Sequence, residues 1–323
     1  MFRYITKLFF AVMLASLALV LMIPSSASAY RVEKLKELKN FGDVDLGPTL
    51  FYVNAKQGDS VTKTLQITNR SGAPDTYEIE IEDFEGSTTD SAQPTVLLGK
   101  NPGKYGAKKW FTCEKDELLL DHADRAFVDC IIKIPDNVES GDYYAAFLVH
   151  STKKTAVEAA NSPKVEVTSR VGSLFIIRVE GDILEQGNLL SFSTDKYRYD
   201  DPKVTFKTVF HNTGNVMLEP EGKITIYNMF NKQRDVLEIK PFRTLRDSIR
   251  ENQTVWSQKF LFGRYKAVLA LSRGYGETTD TATIYFWVLP WKLLLLALGT
   301  LIAIILIIIF IRRNVKIEFR RKH

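Results

Sequence analysis

Cysteine and histidine are scarce in this 323-residue chain, with two of the first and four of the second. Cys113 and Cys130, without a nearby His or a further Cys, do not complete zinc's four ligands. Catalytic signatures are missing too: there is no G-x-S-x-G, no H-E-x-x-H and no P-loop. Ser60-Val61-Thr62-Lys63 and Ser151-Thr152-Lys153-Lys154 fit S-x-x-K, but one lies in a strand-like run, the other enters a polar loop, and no SDN or KTG partner exists. The sequence gives no positive case for an enzyme or a cofactor. Helical periodicity is lacking between the two ends, apart from Arg31–Lys39, where Val32, Leu35 and Leu38 recur every three residues and suggest a short helix or a tether. An excess of one charge is lacking as well. The formal charge of +5 sits at the termini, and the stretch between them is near −3, which gives no reason to expect nucleic acid.

What is present begins with the ends. Arg3 and Lys7 precede an almost wholly apolar run from Leu8 to Met22, and Ala27-Ser28-Ala29 has the small-x-small form of a cleavage site. Residues 1–29 therefore read as a secretory signal peptide, an uncleaved anchor being the alternative. At the other end Leu293–Ile311 runs 19 residues without a charge. At 1.5 Å per residue that is about 28 Å, close to a bilayer core of about 30 Å. Trp287 and Trp291 flank it and six Lys or Arg follow it. The expectation is a transmembrane helix at 290–311, a basic cytoplasmic tail at 312–323, and a single-pass type I protein of the cell membrane with an extracytoplasmic ectodomain.

The intervening residues are punctuated by short alternating runs. TKTLQITN (Thr62–Asn69), YEIEIEDF (Tyr77–Phe84) and KVTFKTVFH (Lys203–His211) have a period of two, with Gly, Pro, Asn and Asp between the runs. This pattern predicts an all-β chain of two tandem immunoglobulin-like antiparallel sandwiches. Leu65–Ile81 and Thr208–Ile226 echo one another: a strand, then Asn, then Gly, then a second strand. Asn69, Gly72, Asn212 and Gly214 read as structural turns, because Asn and Gly tolerate positive φ and Asn bonds its own backbone two residues on. His211 in HNTG has Thr68 as its counterpart in the first copy, so it is read as part of a turn rather than a catalytic group. The expected order is a tether at 30–47, one sandwich at 48–181 and a second at 182–289. The polar stretch Ser151–Lys164 reads as a mobile loop.

Cys113 and Cys130 lie in strand-like WFTC and AFVDC in an exported region, which favours a structural disulfide; two buried free thiols are the alternative. Glu78, Glu80 and Glu82 fall on one face of a strand and read as a solvated stripe. Asp121-His122-Ala123-Asp124 reads as a turn. For a binding surface the candidates are Tyr143 and Tyr144, which point to opposite sides of one strand, and Tyr197 and Tyr199, which share a face.

The order of these parts carries a resemblance. A signal, a strand pair around ITNRSG, then IPDNVESGDYYAAFLV, FHNTGNVMLEPEGKITIYN, the Arg-rich RTLRDSIRENQTVW, GRYKAVLAL, one span and a basic tail follow in turn. This layout resembles the membrane-anchored surface proteins related to the WxL-interacting proteins of Gram-positive bacteria, over most of Pro48–Lys322. The resemblance implies a first domain associated with peptidoglycan binding and a second with host or partner proteins. Together the readings point to a non-enzymatic surface protein whose ectodomain holds cell-wall polymer or another surface protein. The alternative is a chaperone-like or accessory subunit of a surface assembly, acting by β-strand addition.

Overall fold

The computed structural model describes residues 30–89, 95–153, 155–157, 165–167 and 169–314. The chain is mostly β-sheet, folded as two immunoglobulin-like sandwiches. In the first, one sheet orders Arg31–Lys34, Asp124–Lys133, Ser60–Asn69 and Val44–Gly47, with Phe111–Cys113 also on Asp124–Lys133. The facing sheet orders Leu50–Ala55, Arg170–Val179, Gly141–Ser151, Asp75–Glu82 and Glu117–Leu120. Alternation does what the pattern demands: Ala126, Val128, Cys130 and Ile132 point inward along one strand, opposite Leu65 and Ile67 on its neighbour. Phe111, Phe147 and Phe175 close the core with ring centroids 4.8–5.1 Å apart. Each such buried ring contributes roughly 1.5–3 kcal/mol by area alone.

The second sandwich packs a three-stranded sheet (Gly187–Thr194, Lys203–Asn212, Ser248–Ser257) on a five-stranded one. The latter orders Arg198–Tyr199, Thr279–Val288, Gly263–Ser272, Glu221–Tyr227 and Gln233–Ile239. Phe206, Trp256, Tyr265 and Phe286 fill the space between.

Gly141–Ser151 departs from alternation, with every residue from Gly141 to Val149 buried. A near-continuous apolar run is what a strand covered on both faces requires. Tyr143, Ala145, Phe147 and Val149 belong to the first core. Tyr144, Ala146 and Leu148 belong to a separate cluster with Phe84, Ile176 and Leu245, against which Met217 packs. That second cluster joins the two sandwiches. Around it, Arg246 N–H donates to the Tyr144 hydroxyl at 2.8 Å, Asp142 N–H to the Asn215 carbonyl at 2.8 Å and Ile249 N–H to the Ser87 carbonyl at 2.7 Å. Gly86 permits the approach, since a Cβ there would lie 2.4 Å from Ser248 Cβ.

Several expectations change. Arg31–Lys34 and Val44–Gly47 are strands of the first sheet rather than a helix or a tether, because the outer sides of Asp124–Lys133 and Ser60–Asn69 offer them ladder partners. Within the Ser151–Lys164 stretch, Thr155–Val157 pairs with Val165–Val167 as a short antiparallel ladder. The signal at 1–29 and the tail beyond 314 lie outside the described residues. The C-terminal helix is Trp291–Asn314. Among the described residues no helix is long and apolar enough to cross a membrane. The single-pass, type I membrane localisation is corrected accordingly.

Candidate functional site: a groove between the sandwiches

The sequence-derived candidates do not converge on one surface. Tyr143 and Tyr144 are 7% and 1% exposed, one on each covered face of Gly141–Ser151. Both hydroxyls are pushed above their ordinary pKa, chiefly by burial. Tyr199 is 3% exposed and bonds Asp195, while Tyr197 is 61% exposed. The pair therefore does not share an open face, and three of the four tyrosines are buried. The acidic stripe is not a uniformly solvated face: Glu78 is exposed, Glu82 is buried, and Arg170 lies 3.2 Å from Glu80 and 2.9 Å from Glu82. Cys113 and Cys130 stand opposite each other in the ladder and form a disulfide.

Both asparagines of the repeated motif are fully buried. Asn69 donates to the Ala73 and Leu120 carbonyls at 2.8 Å and accepts from Ser71 N–H at 2.8 Å and from Tyr77 at 2.9 Å. Asn212 donates to the carbonyls of Val216, Thr244 and Leu245 and accepts from Gly214 N–H at 2.9 Å. Gly72 has a positive φ of 87°. Asn, not the adjoining His211, is the residue each bend is built around.

A broad concavity lies where the sandwiches meet. A groove of about 880 Å³ runs between them. Thr49, Leu50, Leu174 and Ile176 form one wall. Lys240–Arg243, Leu245 and, beyond Arg250, Asn252–Val255 form the other. A second lobe of about 590 Å³ continues it past Tyr52, Asn54, Arg178 and Met217, sharing Ile176, Glu219 and Arg243 with the first. Each wall contains a sheet edge. Leu50–Ala55 is outermost in the first sandwich, bound in parallel to Arg170–Val179 on one side. Ser248–Ser257 is outermost in the three-stranded sheet, bound antiparallel to Lys203–Asn212 on one side. An outermost strand presents a row of backbone donors and acceptors to whatever lies beside it. Val255 and Tyr52, about half exposed, stand over the two edges.

Charge in the groove is uneven. Lys240, Arg243 and Arg250 share it with Glu219 and Glu238. Arg243 Nε binds Glu219 at 3.0 Å. Arg250 donates Nη1–H to the Arg243 carbonyl, and its Nε is buried with no partner. Burial, and then the charge of Arg243, hold its guanidinium below the ordinary arginine range. In the sequence RTLRDSIRENQTVW stands out only as an Arg-rich segment. The signal it contained is the spacing of Arg243, Arg246 and Arg250 around a left-handed Asp247 (φ 53°). Between them Arg246 turns inward beneath Tyr105, its guanidinium 3.9 Å from that ring.

No family model matches the sequence, and no curated protein matches it significantly; the WxL-related resemblance has no such match behind it. In overall course the chain is similar to solved fimbrial chaperones. The class 5 fimbriae chaperone CfaA matches at 9% identity over 76% of this chain and 99% of that one, with a TM-score of 0.39. The YadV chaperone matches at 10% over 75% and 100%, TM-score 0.37. A structure of Salmonella enterica SafA pilin in complex with the SafB chaperone matches at 10% over 75% and 96%, TM-score 0.33. Likeness at this level concerns the course of the chain and carries no function with it.

Proposed function

We propose that the protein is a chaperone-like or accessory subunit of a surface assembly, and that it holds a partner protein by adding an extended segment of it to a sheet edge in the groove. The observation that carries this reading is the placement of two outermost strands, Leu50–Ala55 and Ser248–Ser257, on opposite walls of one concavity. A segment lying there meets backbone on the edge and apolar side chains from Leu50, Leu174, Ile176 and Val255. Main-chain hydrogen bonds then supply affinity, and the apolar floor selects side chains at alternate positions. Clamping of the sandwiches by the Tyr144 cluster keeps the walls at a fixed spacing, so the ordering cost falls on the partner alone. Wall polymer has less to recommend it, because Tyr143, Tyr144 and Tyr199, three of the four tyrosines proposed to meet it, are buried.

The test is a photo-reactive phenylalanine analogue placed at Val255, with one at Tyr197 as control, in cells that produce the protein. The reading expects a discrete protein adduct at 255, absent at 197, whose cross-linked segment is strand-like. Equal adducts at both positions, or none at 255, would sink it.

A further inference from the structure

The groove contains a cation whose partner is missing. Among the described residues no carboxylate lies within ion-pair distance of Arg250, in contrast to Arg243, Arg178 and Arg273, which hold Glu219, Asp142 and Asp280. Nor does an aromatic ring among the described residues cover it, in contrast to Arg246. Its own backbone contact uses Nη1 alone, and Nε is left buried without an acceptor. The guanidinium is half-buried, a buried Nε–H without an acceptor is costly, and a planar fork of donors is matched best by a carboxylate. Lys240 and Arg243 line the same space, so an added negative charge meets three cations and two carboxylates.

We propose that Arg250, with Lys240 and Arg243, is a carboxylate subsite of the groove, and that the segment accepted there carries an Asp or Glu side chain level with Arg250. This deepens the strand-addition reading and rests on it. A side chain is favoured over a chain end because the lining continues along the edge from Arg250 to Val255, where a paired segment presents side chains rather than a terminus. The subsite would also fix register. A slip of one residue turns the acid to the other face of the added strand and leaves Arg250 unpaired again.

The test uses the full-length protein and a capped ten-residue peptide of alternating Val and Thr with one central Glu, its Gln counterpart, and a Gln peptide with a free terminal carboxylate. The Glu peptide should bind at least about tenfold more tightly than the capped Gln peptide. Arg250→Gln should abolish that difference, and Arg250→Lys should retain part of it. Equal binding of Glu and Gln peptides, or preference for the free terminus, overturns the subsite while leaving strand addition standing. A second readout is independent of peptide binding: in protein labelled with ¹⁵N-arginine, acetate should saturably shift the Arg250 Nε–H resonance. A resonance indifferent to acetate overturns the proposal. Failure of all three peptides together with a saturable acetate shift contradicts strand addition and keeps the anion site.

Discussion

The Asp142 carboxylate, with no exposed surface, accepts two hydrogen bonds from Arg178, at 2.7 and 2.9 Å. It accepts a third from the Met217 backbone N–H at 2.6 Å, across the boundary between the sandwiches. An ion pair inside the first sandwich thereby sets the position of the second. Removing one partner of a buried pair strands the other's charge. We expect Asp142→Ala to cost about 3 kcal/mol, at the low end of the usual range because Arg178 is partly exposed. The double change Asp142→Ala with Arg178→Ala should cost less than the sum of the singles, measured by urea denaturation.

Asn69 and Asn212 each tie together several backbone carbonyls of their bends, some of which, such as those of Ala73 and Thr244, keep a second donor in Ser71 and Leu218. Replacing either with Ala removes these ties and should cost about 1–3 kcal/mol. His211→Ala should change stability by under about 0.5 kcal/mol, since its side chain is not part of the bend. Thermal unfolding of the three variants separates the roles, and a larger loss from His211 than from Asn212 contradicts the assignment.

The disulfide closes a loop with a sequence separation of 17 residues. Chain entropy gives such a loop about 3 kcal/mol. Cys113→Ser with Cys130→Ser should lower unfolding stability by about that amount, and reduction of the wild-type protein should reproduce the loss.

Asp247 carries an interdomain contact of a different kind. The Lys104 ammonium, 2.7 Å away, and the Tyr105 hydroxyl hold its carboxyl below the ordinary carboxylate range. A carboxyl so depressed stabilises the folded chain at neutral pH, and that contribution fades as pH falls through the depressed range. Because both side chains are substantially exposed, the effect is small, about 0.5 kcal/mol. Stability of the wild-type protein should therefore fall slightly more than that of Asp247→Asn between neutral pH and strong acid.

Much of the β architecture was legible because alternation is a local signal. Runs such as Thr62–Asn69 and Lys203–His211 state their own inward faces, and the cysteines fall opposite one another because both sit in such runs. The tyrosines misled for a physical reason. A lone strand suggests one wet face, and Tyr144 lost its wet face to Leu245 and Met217, which come from more than seventy residues downstream. Arg31–Lys34 misled because a three-residue recurrence in nine residues is weak beside an available ladder partner. The groove was invisible for the same reason as the Tyr144 cluster. Its walls join Leu50 to Val255, and no short window of sequence contains both.

Backbone hydrogen exchange tests strand addition most directly, because it reports the hydrogen bonds that such binding must make. The protein should be followed alone and with the Glu-bearing peptide at a concentration where fluorescence anisotropy shows it bound. The account predicts that the amides of Gln253 and Val255, which face the open edge, slow by at least about tenfold while those near Tyr197 do not change. A bound peptide that leaves exchange at Gln253 and Val255 unaltered would contradict it.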